Sequence, residues 1–415
     1  MNDENPREPL QSRADDSLPP HKLRVAFLIW RLHPRGGIPR FQASLLRSVA
    51  DRPWLDLHVI SVRPNYADDE LEQYANLATF HFLDLDGESS VPKRLRALLQ
   101  LAAVLRILRP DVLHVHGGIG WLPALLTGPS AVVLQVHDPP QVGRDSALTT
   151  WVERWASRLR GWQLVVDASG VAEQLAEAWN LNETAIRVEP LGIDTHYYEP
   201  SAHRATASAG AALTSERLEV AWLGRLVPSK QPELFVELAS RVVDDLPHAV
   251  FRLAGEGSMA AELARINEAA GGGCELTGRV PEVREFLRSA DVFVSTSAAE
   301  GFGLAVLEAM AMGVPVVALD AAGLRDLIVD GTTGYLVSEG DLAALADRLI
   351  HLAQHAQLLN AMGSAAAERA SRTFSLEAMG NRYVRLWTDV APSHRGRSRS
   401  IGCLSALPKR RQKVH

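Results

Sequence analysis

The feature that most constrains this chain is an alternation, present twice, between short apolar runs and segments with helical periodicity. From Leu23 onward, runs such as LRVAFLIW and DVLHVH are separated by segments whose apolar residues recur every three to four positions. Continuous apolar runs of this length are typical of parallel strands buried between helices. The pattern therefore predicts an α/β fold built on doubly wound parallel sheets.

The alternation stops once and then resumes, which predicts two domains; the length of 415 residues also exceeds one ordinary core. The interruption, SAHRATASAGAALTSER, is small and polar, as linkers are. We predict a disordered tail at 1–22, a first α/β domain at 23–200, a linker at 201–217, a second α/β domain at 218–375, a helix at 376–391 that can cross back to the first domain, and a basic disordered tail at 392–415.

Composition excludes several classes of protein. Two cysteines, Cys274 and Cys403, are too few for a disulfide framework or a structural zinc site, so we expect a cytoplasmic protein. Residues 1–22 lack the apolar core of a signal peptide, and no run of about 18 apolar residues predicts a membrane span. The net charge is −6, yet seven Lys or Arg and no acid follow Ala391. Such a tail is either plainly solvated or in contact with an anionic surface.

The stretch EGFGLAVLEAMAMG combines a glycine-rich helix start with two carboxylates, Glu300 and Glu308. A helix N-terminus preceded by Gly301 and Gly303 offers free N–H groups to a phosphate. Carboxylates repel phosphate but accept hydrogen bonds from hydroxyl groups, so they would suit the sugar and the ribose of a ligand. The alternative is that Glu300 caps the helix and Glu308 is a partly exposed helix residue.

Two basic residues, Arg225 and Lys230, follow the first strand of the second series in GRLVPSK. A guanidinium fork and an ammonium point charge together match a diphosphate. Ligands of parallel sheets bind beyond the carboxyl ends of the strands, so this pair should face the same cleft as the glycine-rich helix start. The alternative is that both side chains are solvated surface residues.

Taken in order, GRLVPSK, LAGEGSM, the E-x7-E spacing in EGFGLAVLE and the closing DGTTGYLV resemble the donor half of family 4 (group 1) glycosyltransferases of the GT-B class. Weaker similarity extends to PRGGIPR, DVLHVHGG, VVDASGVAEQL and VEPLGIDTHYY. The resemblance implies two Rossmann-like domains facing across a cleft, the first (23–200) on the acceptor side and the second (218–375) binding the nucleotide sugar. It also implies retaining transfer of a sugar from a nucleotide-diphosphate sugar, a UDP- or GDP-sugar foremost, without cofactor or metal.

The resemblance also implies roles for individual residues. Arg225 and Lys230 would hold the diphosphate, Glu300 would contact the donor sugar and Glu308 the ribose. His116 is similar to a histidine that such enzymes place near the donor sugar, which makes Arg225, Lys230, Glu300 and His116 the expected catalytic set. The donor-binding set would further include Gly36, Gly37, Arg279, Val280, Gly301, Phe302, Gly303 and Leu304. His137 is a candidate on the acceptor side.

The implied acceptor is a glycan, a glycolipid or another hydroxyl compound, in polysaccharide or cell-envelope glycan synthesis, with no nucleic acid as partner. The segment 147–162 carries Trp151 and Trp155 one helical turn apart among arginines, and a second basic helix contains Lys93, Arg94 and Arg96. Such helices either pack in the core or rest on an anionic membrane. We expect peripheral contact with the inner face of a membrane that carries a lipid-linked acceptor.

Four alternatives and two departures from the family pattern accompany this interpretation. GEGSMA with Glu275 formally fits a dinucleotide fingerprint, Asp84–Asp86 resembles a metal-binding D-x-D, and His114 with His116 could form a metal pair. An inactive family member acting as a binding or assembly protein is the fourth. The family commonly has Asn where this chain has Leu191, and an acid where it has Pro39.

Overall fold

Two parallel β-sheets flanked by helices form the framework of the chain. The structure is a computed structural model that describes residues 22–29, 37–62, 74, 76–83, 91–116, 131–137, 162–200 and 218–391. Every strand pair in both sheets is parallel. The predicted α/β class and the doubly wound sheets are confirmed.

The first sheet has seven strands in the order β3-β2-β1-β4-β5-β6-β7. Apolar strands such as β4, which is buried along its whole length, require helices on both faces. The strands are β1 Leu23–Ile29, β2 Leu55–Ser61, β3 Thr79–Phe82, β4 Val112–His116, β5 Ala131–Val136, β6 Trp162–Val166 and β7 Ile186–Val188. The helices of this half are α1 Gly37–Val49, α2 Val91–Leu108 and α3 Ser169–Trp179, with a 3-10 turn at Glu183–Ala185.

The second sheet has six strands in the order β10-β9-β8-β11-β12-β13. Its strands are β8 Glu219–Leu223, β9 Val250–Ala254, β10 Cys274–Gly278, β11 Val292–Ser295, β12 Val316–Leu319 and β13 Gly334–Val337. Its helices are α4 Pro232–Arg241, α5 Ala260–Ala269, α6 Val283–Arg288, α7 Leu304–Ala311, α8 Leu342–Gln354 and α9 Ala356–Thr373, with 3-10 turns at Pro228–Lys230 and Ala322–Leu324. In each sheet the strand order reverses next to the first strand, where open parallel sheets bind ligands.

The last helix, α10 (Leu376–Val390), follows the second sheet in sequence but packs on the first. Ser375 caps it by accepting the Ala378 N–H at 3.2 Å. A Cβ at Gly380 would lie 2.6 Å from the Ser48 carbonyl oxygen, so only glycine lets α10 approach α1 this closely. Tyr383 and Trp387 are fully buried in the resulting interface.

The two halves also meet through a helix cap supplied across the cleft. Asp326, just after the turn Ala322–Leu324, accepts the backbone N–H and the hydroxyl of Ser169 at 2.5 and 2.6 Å. A carboxylate at the N-terminus of α3 also complements the helix dipole. The start of α3 is therefore held by the second half of the chain.

Several predictions fall outside the described residues: the N-terminal tail apart from residue 22, the linker 201–217, the basic tail, Asp84–Asp86, and the segment 147–162 except Trp162, which begins β6. The predicted domain boundaries stay predictions. Among the helices of the described ranges, none combines the length and the apolar character needed to cross a membrane.

Candidate functional site

A cavity of about 580 Å³ lies beyond the carboxyl ends of strands from both sheets. His137 and Asp167 reach it from the ends of β5 and β6, and Arg225 reaches it from the end of β8. This is the place where parallel sheets bind ligands. The residues of the expected site that line it are Gly37, His137, Arg225, Lys230, Glu300, Gly301, Phe302, Gly303, Leu304 and Glu308.

Other expected residues lie elsewhere. His116 is behind His137 and does not line the cavity, and Arg279 and Val280 are also absent from its wall, where Val283 is found instead. Gly36 lies outside the described residues. Gly37 begins α1 directly opposite α7, because a Cβ on it would sit 3.6 Å from Leu304 Cδ1.

The start of α7 is shaped by a residue that must be glycine. Gly303 has φ +92°, and a Cβ there would lie 2.4 Å from Leu324 Cδ2. No side chain of the described residues caps this helix, and the residues of its first turn line the cavity. The alternative role of Glu300 as a helix cap is not observed. The arrangement can bind an anion at the helix start.

Glu300 is instead paired with the lysine of the expected diphosphate site. Its Oε1 lies 2.6 Å from Lys230 Nζ and accepts the Ser297 hydroxyl at 2.9 Å. Arg225 is exposed, lines the same cavity, and has no ion pair to any part of the chain that the structure describes. A ligand phosphate would therefore meet Lys230, whose charge is balanced by Glu300, and Arg225, which has no carboxylate partner among the described residues.

The loop that carries Arg225 rests on the glycines of GEGSMA. A Cβ at Gly255 would lie 1.8 Å from the Gly224 carbonyl oxygen, and one at Gly257 would lie 2.2 Å from that of Leu226. Leu226 N–H also donates to the Glu256 carbonyl at 2.9 Å. These glycines allow the two backbone segments to pack closely beneath Arg225. This packing accounts for the glycines of GEGSMA without a bound dinucleotide.

Glu308 is almost fully buried, at 1% exposure, which excludes the partly exposed alternative. Its Oε1 pairs with Arg40 and accepts the Tyr198 hydroxyl at 3.0 Å. Burial raises the pKa of Glu308, while Arg40 and Tyr198 oppose the rise. Burial by itself would lower the pKa of Arg40, but Glu308 and Tyr198 together raise it above its ordinary value. Arg40 follows Pro39, the departure noted above, and the sequence did not single it out.

A row of buried polar groups extends from His137 away from the cavity. His137 Nδ1 lies 2.7 Å from Asp167 Oδ2, and its Nε2 lies 3.1 Å from His116 Nδ1. His116 Nε2 has no partner among the described residues. Burial lowers the pKa of His116 well below its ordinary value, and His114 and His137 lower it further, so His116 is neutral near pH 7. Asp167 was not singled out from the sequence, since the stretch VVDASGVAEQL that contains it showed only weaker similarity and gave no role to this residue.

The alternative that His114 and His116 form a metal site needs a third ligand, and the described residues supply none. Among the described residues, no group of three or more His, Cys, Asp or Glu side chains is arranged to hold a metal ion. His114 Nε2 is instead 2.8 Å from Gln135 Oε1.

Comparison with known proteins gives two family matches that together cover most of the chain. Residues 35–197 match the model described as Glycosyltransferase Family 4, and residues 217–355 match the model described as Glycosyl transferases group 1. A D-inositol 3-phosphate glycosyltransferase of Geodermatophilus obscurus is 30% identical over 340 residues, which are 74% of this chain and 73% of that protein.

Solved structures show the same fold at low sequence identity. HepE (Alr3699) of Anabaena, crystallised in complex with UDP and glucose, matches with a TM-score of 0.73 at 18% identity, over 88% of this chain and 100% of that one. Sucrose-phosphate synthase of Thermosynechococcus elongatus matches with a TM-score of 0.72 at 18% identity, over 89% and 99%. At such identities the likeness concerns the fold.

Proposed function

The chain belongs to the group 1 glycosyltransferases of family 4, with their GT-B fold, and from that premise we propose that it transfers a sugar, with retention of anomeric configuration, from a nucleotide-diphosphate sugar to a hydroxyl acceptor. The observation that carries the proposal is one cavity lined by Arg225, Lys230 and the uncapped N-terminus of α7. Two cations and a helix N-terminus on the wall of one cavity suit a diphosphate leaving group.

In the proposed complex the diphosphate lies between Arg225, Lys230 and the first turn of α7. Negative charge grows on the nucleoside diphosphate as its bond to the sugar breaks, and fixed cations stabilise that charge in the transition state. Phosphate would draw Lys230 Nζ away from the Glu300 carboxylate, whose Oε1 lies 2.6 Å from it. The carboxylate of Glu300 then becomes available to hydroxyl groups of the donor sugar.

The ribose is proposed to lie next to Glu308. Because Oε1 of this carboxylate is occupied by Arg40 and Tyr198, a ribose hydroxyl would bind through Oε2 or displace Arg40. The backbone near Arg279 and Val280 is proposed for the base, although Val283 is the residue of that region on the cavity wall.

A UDP-sugar is the first donor to test, since the related fold of HepE was crystallised with UDP and glucose. A hexosyl group is the proposed cargo. The D-inositol 3-phosphate glycosyltransferases among the relatives carry a polyol phosphate in their name, so phosphorylated polyols belong in the acceptor panel beside glycans and glycolipids. We propose that the product belongs to polysaccharide or cell-envelope glycan synthesis.

The test measures turnover with a panel of UDP-, GDP- and ADP-hexoses. The ¹H NMR signal of the product's anomeric proton then gives the anomeric configuration of the product. An α-linked donor should give an α-linked product. Lys230→Ala should lower kcat/KM about 100-fold or more, because it removes a charge directed at the leaving group. Arg241→Ala, which removes an exposed cation paired with Glu237 on α4, is the matched control and should leave kcat/KM unchanged. Inversion, or turnover that survives Lys230→Ala, contradicts the proposal.

We also propose peripheral membrane contact through α2. Leu95 and Leu99 are 58% and 64% exposed on this helix, one turn apart, and Arg96 beside them is exposed as well. Apolar side chains next to cations suit the interface of an anionic bilayer. Liposomes containing phosphatidylglycerol should therefore co-sediment the protein better than pure phosphatidylcholine, and Leu95→Ser/Leu99→Ser should remove the difference. Equal sedimentation with both lipids contradicts this contact.

A further inference from the structure

The buried polar row beside the cavity continues beyond the histidines into the C-terminal helix. It lies at the carboxyl ends of three neighbouring strands, with His114 and His116 on β4, Gln135 on β5 and Asp167 just after β6. Gln135, His114 and Asp167 are at most 1% exposed. Buried polar groups of this kind are stable only when they are hydrogen-bonded to one another.

The hydrogen bonds fix the orientation of Gln135. The carboxylate of Asp167 can only accept, so the amide nitrogen of Gln135 faces it and donates to Oδ1 at 2.7 Å. The amide oxygen then accepts from His114 Nε2 at 2.8 Å. The second hydrogen of the amide is donated to the Tyr383 hydroxyl at 2.5 Å. Gln135 thus links Asp167 to α10.

The same bonds restrict the orientation of the imidazoles. Asp167 Oδ2 accepts from His137 Nδ1, so that nitrogen carries a proton. His137 Nε2 lies 3.1 Å from His116 Nδ1, a contact that needs one donor and one acceptor, so the ring of His137 restricts the tautomer of His116. Without Asp167 in place, the His137 ring would lose the partner that fixes its orientation.

Tyr383 is the contribution of α10 to this row. It is fully buried, and its ring lies 5.9 Å from that of Phe41 on α1 and 5.7 Å from that of His114. Its neighbour Trp387 packs on the same face but has an Nε1 without a partner among the described residues. Only the tyrosine of the two therefore joins the network through a hydrogen bond.

We propose that Tyr383 and Gln135 are positioning residues of the transfer reaction: by holding Asp167 they hold His137, and through it His116, in one tautomer and one orientation beside the donor cavity. The inference rests on the proposed function. His137 and Asp167 are the members of this row that line the cavity, and their orientation matters for transfer only if the cavity binds the donor. It also gives a chemical reason for the return of α10 to the first sheet, since the segment after the second half completes the support of a residue in the first.

The first test is Tyr383→Phe, which deletes the acceptor of the Gln135 amide and keeps the ring. We expect kcat to fall about tenfold, the effect of losing one buried hydrogen bond partner, while KM for the donor changes less than about twofold. Trp387→Phe is the matched control, since it removes more buried area from the same helix and no hydrogen bond. Its melting temperature should fall at least as far while kcat stays near the wild-type value.

The second test follows the ring nitrogens of ¹⁵N-labelled histidines by NMR. The wild-type protein should show single tautomers for His116 and His137, and Tyr383→Phe should shift their signals toward a mixture. The pH dependence of these signals involves the groups that surround them: Asp167, His114, Tyr383 on α10, and the carboxylate of Glu189 behind Tyr383. Trp387→Phe should leave the tautomers unchanged.

The outcomes separate the two proposals. If the wild-type protein transfers no sugar from any donor, the proposed function fails, and the ring nitrogens still decide whether Tyr383 positions the histidines. If the wild-type protein is active and Tyr383→Phe equals it in kcat and in ring signals, the positioning role is wrong. An equal loss of kcat in Trp387→Phe also overturns it, because packing alone would then explain the effect.

Discussion

At the scale of single residues, the pair formed by Arg40 and Glu308 connects the two halves of the site. Arg40 lies in the first turn of α1, and Glu308 lies inside α7 of the other half. The glutamate side chain is 2% exposed and that of the arginine 38%. Without its cation, the buried carboxylate would keep the Tyr198 hydroxyl as a hydrogen-bond donor but would have no counter-charge.

Arg40→Ala should therefore lower the free energy of unfolding by about 2 kcal/mol, less than for a fully buried pair because solvent screens the exposed arginine. The double variant Arg40→Ala/Glu308→Gln should be more stable than Arg40→Ala alone, since it leaves no unpaired charge. Urea denaturation of the three proteins measures both effects. If Glu308→Gln adds to the loss instead of reducing it, Glu308 is not ionised in the folded protein.

The sequence predicted the residues of this site that belong to a spaced motif and missed those that do not. Glu300 and Glu308 were found from their positions around a helix start, and both line the cavity. Arg40 lies in PRGGIPR, but the resemblance gave roles only to the glycines of that stretch, and Asp167 was likewise given no role. The resemblance favoured His116 over His137 for the donor side, whereas the packing places His137 on the cavity wall.

At the scale of elements, the start of α7 depends on a glycine that is restricted in two ways. Gly303→Ala should destabilise the protein by about 2 kcal/mol or more, because φ is positive and Leu324 occupies the space of the new methyl group. It should also weaken donor binding by moving the N–H groups of the first turn.

Gly340→Ala is the control for Gly303→Ala, because Gly340 has φ +78° with nothing within 4 Å of a Cβ. It should cost about 1 kcal/mol and leave donor affinity unchanged. Thermal denaturation and donor titration of both variants separate backbone strain from the clash. Equal costs in the two variants would show that Leu324 moves aside.

The buried end of β4 should make stability depend on pH. Burial lowers the pKa of His114 to about 3, against the hydrogen bond to Gln135 that favours protonation. The unfolded chain, with an ordinary histidine pKa near 6.5, binds a proton below that pH that the folded protein does not. The contribution of His114 to the free energy of unfolding should thus fall by about 1.4 kcal/mol per pH unit as pH drops from 6.5 toward 3, and stay constant above 6.5.

His114→Gln keeps a donor for Gln135 but cannot titrate, so it isolates this effect. Urea denaturation between about pH 7 and pH 5 should show a shallower loss of stability in the variant, with a difference of about 2 kcal/mol in the pH-dependent part. Parallel pH profiles for the two proteins would mean that His114 accepts its proton while folded.

At the scale of the whole molecule, the sequence predicted two sheets because period and length are local properties of the chain. It could not predict how the halves touch, since contacts such as Asp326 with Ser169 join residues 157 positions apart. The course of α10 was left open for the same reason. Its amphipathic pattern predicts a buried face, but which sheet it covers depends on the close approach at Gly380.

These long-range contacts place the residues proposed to bind the diphosphate opposite the first turn of α1. Calorimetric titration with nucleoside diphosphates and the matching monophosphates tests this account most directly. We predict that at least one diphosphate binds about tenfold or more tightly than its monophosphate, and that Arg225→Ala/Lys230→Ala removes the difference. Diphosphate and monophosphate binding of equal strength, or a preference that survives the double substitution, would contradict the assignment of this cleft to a nucleotide-diphosphate sugar.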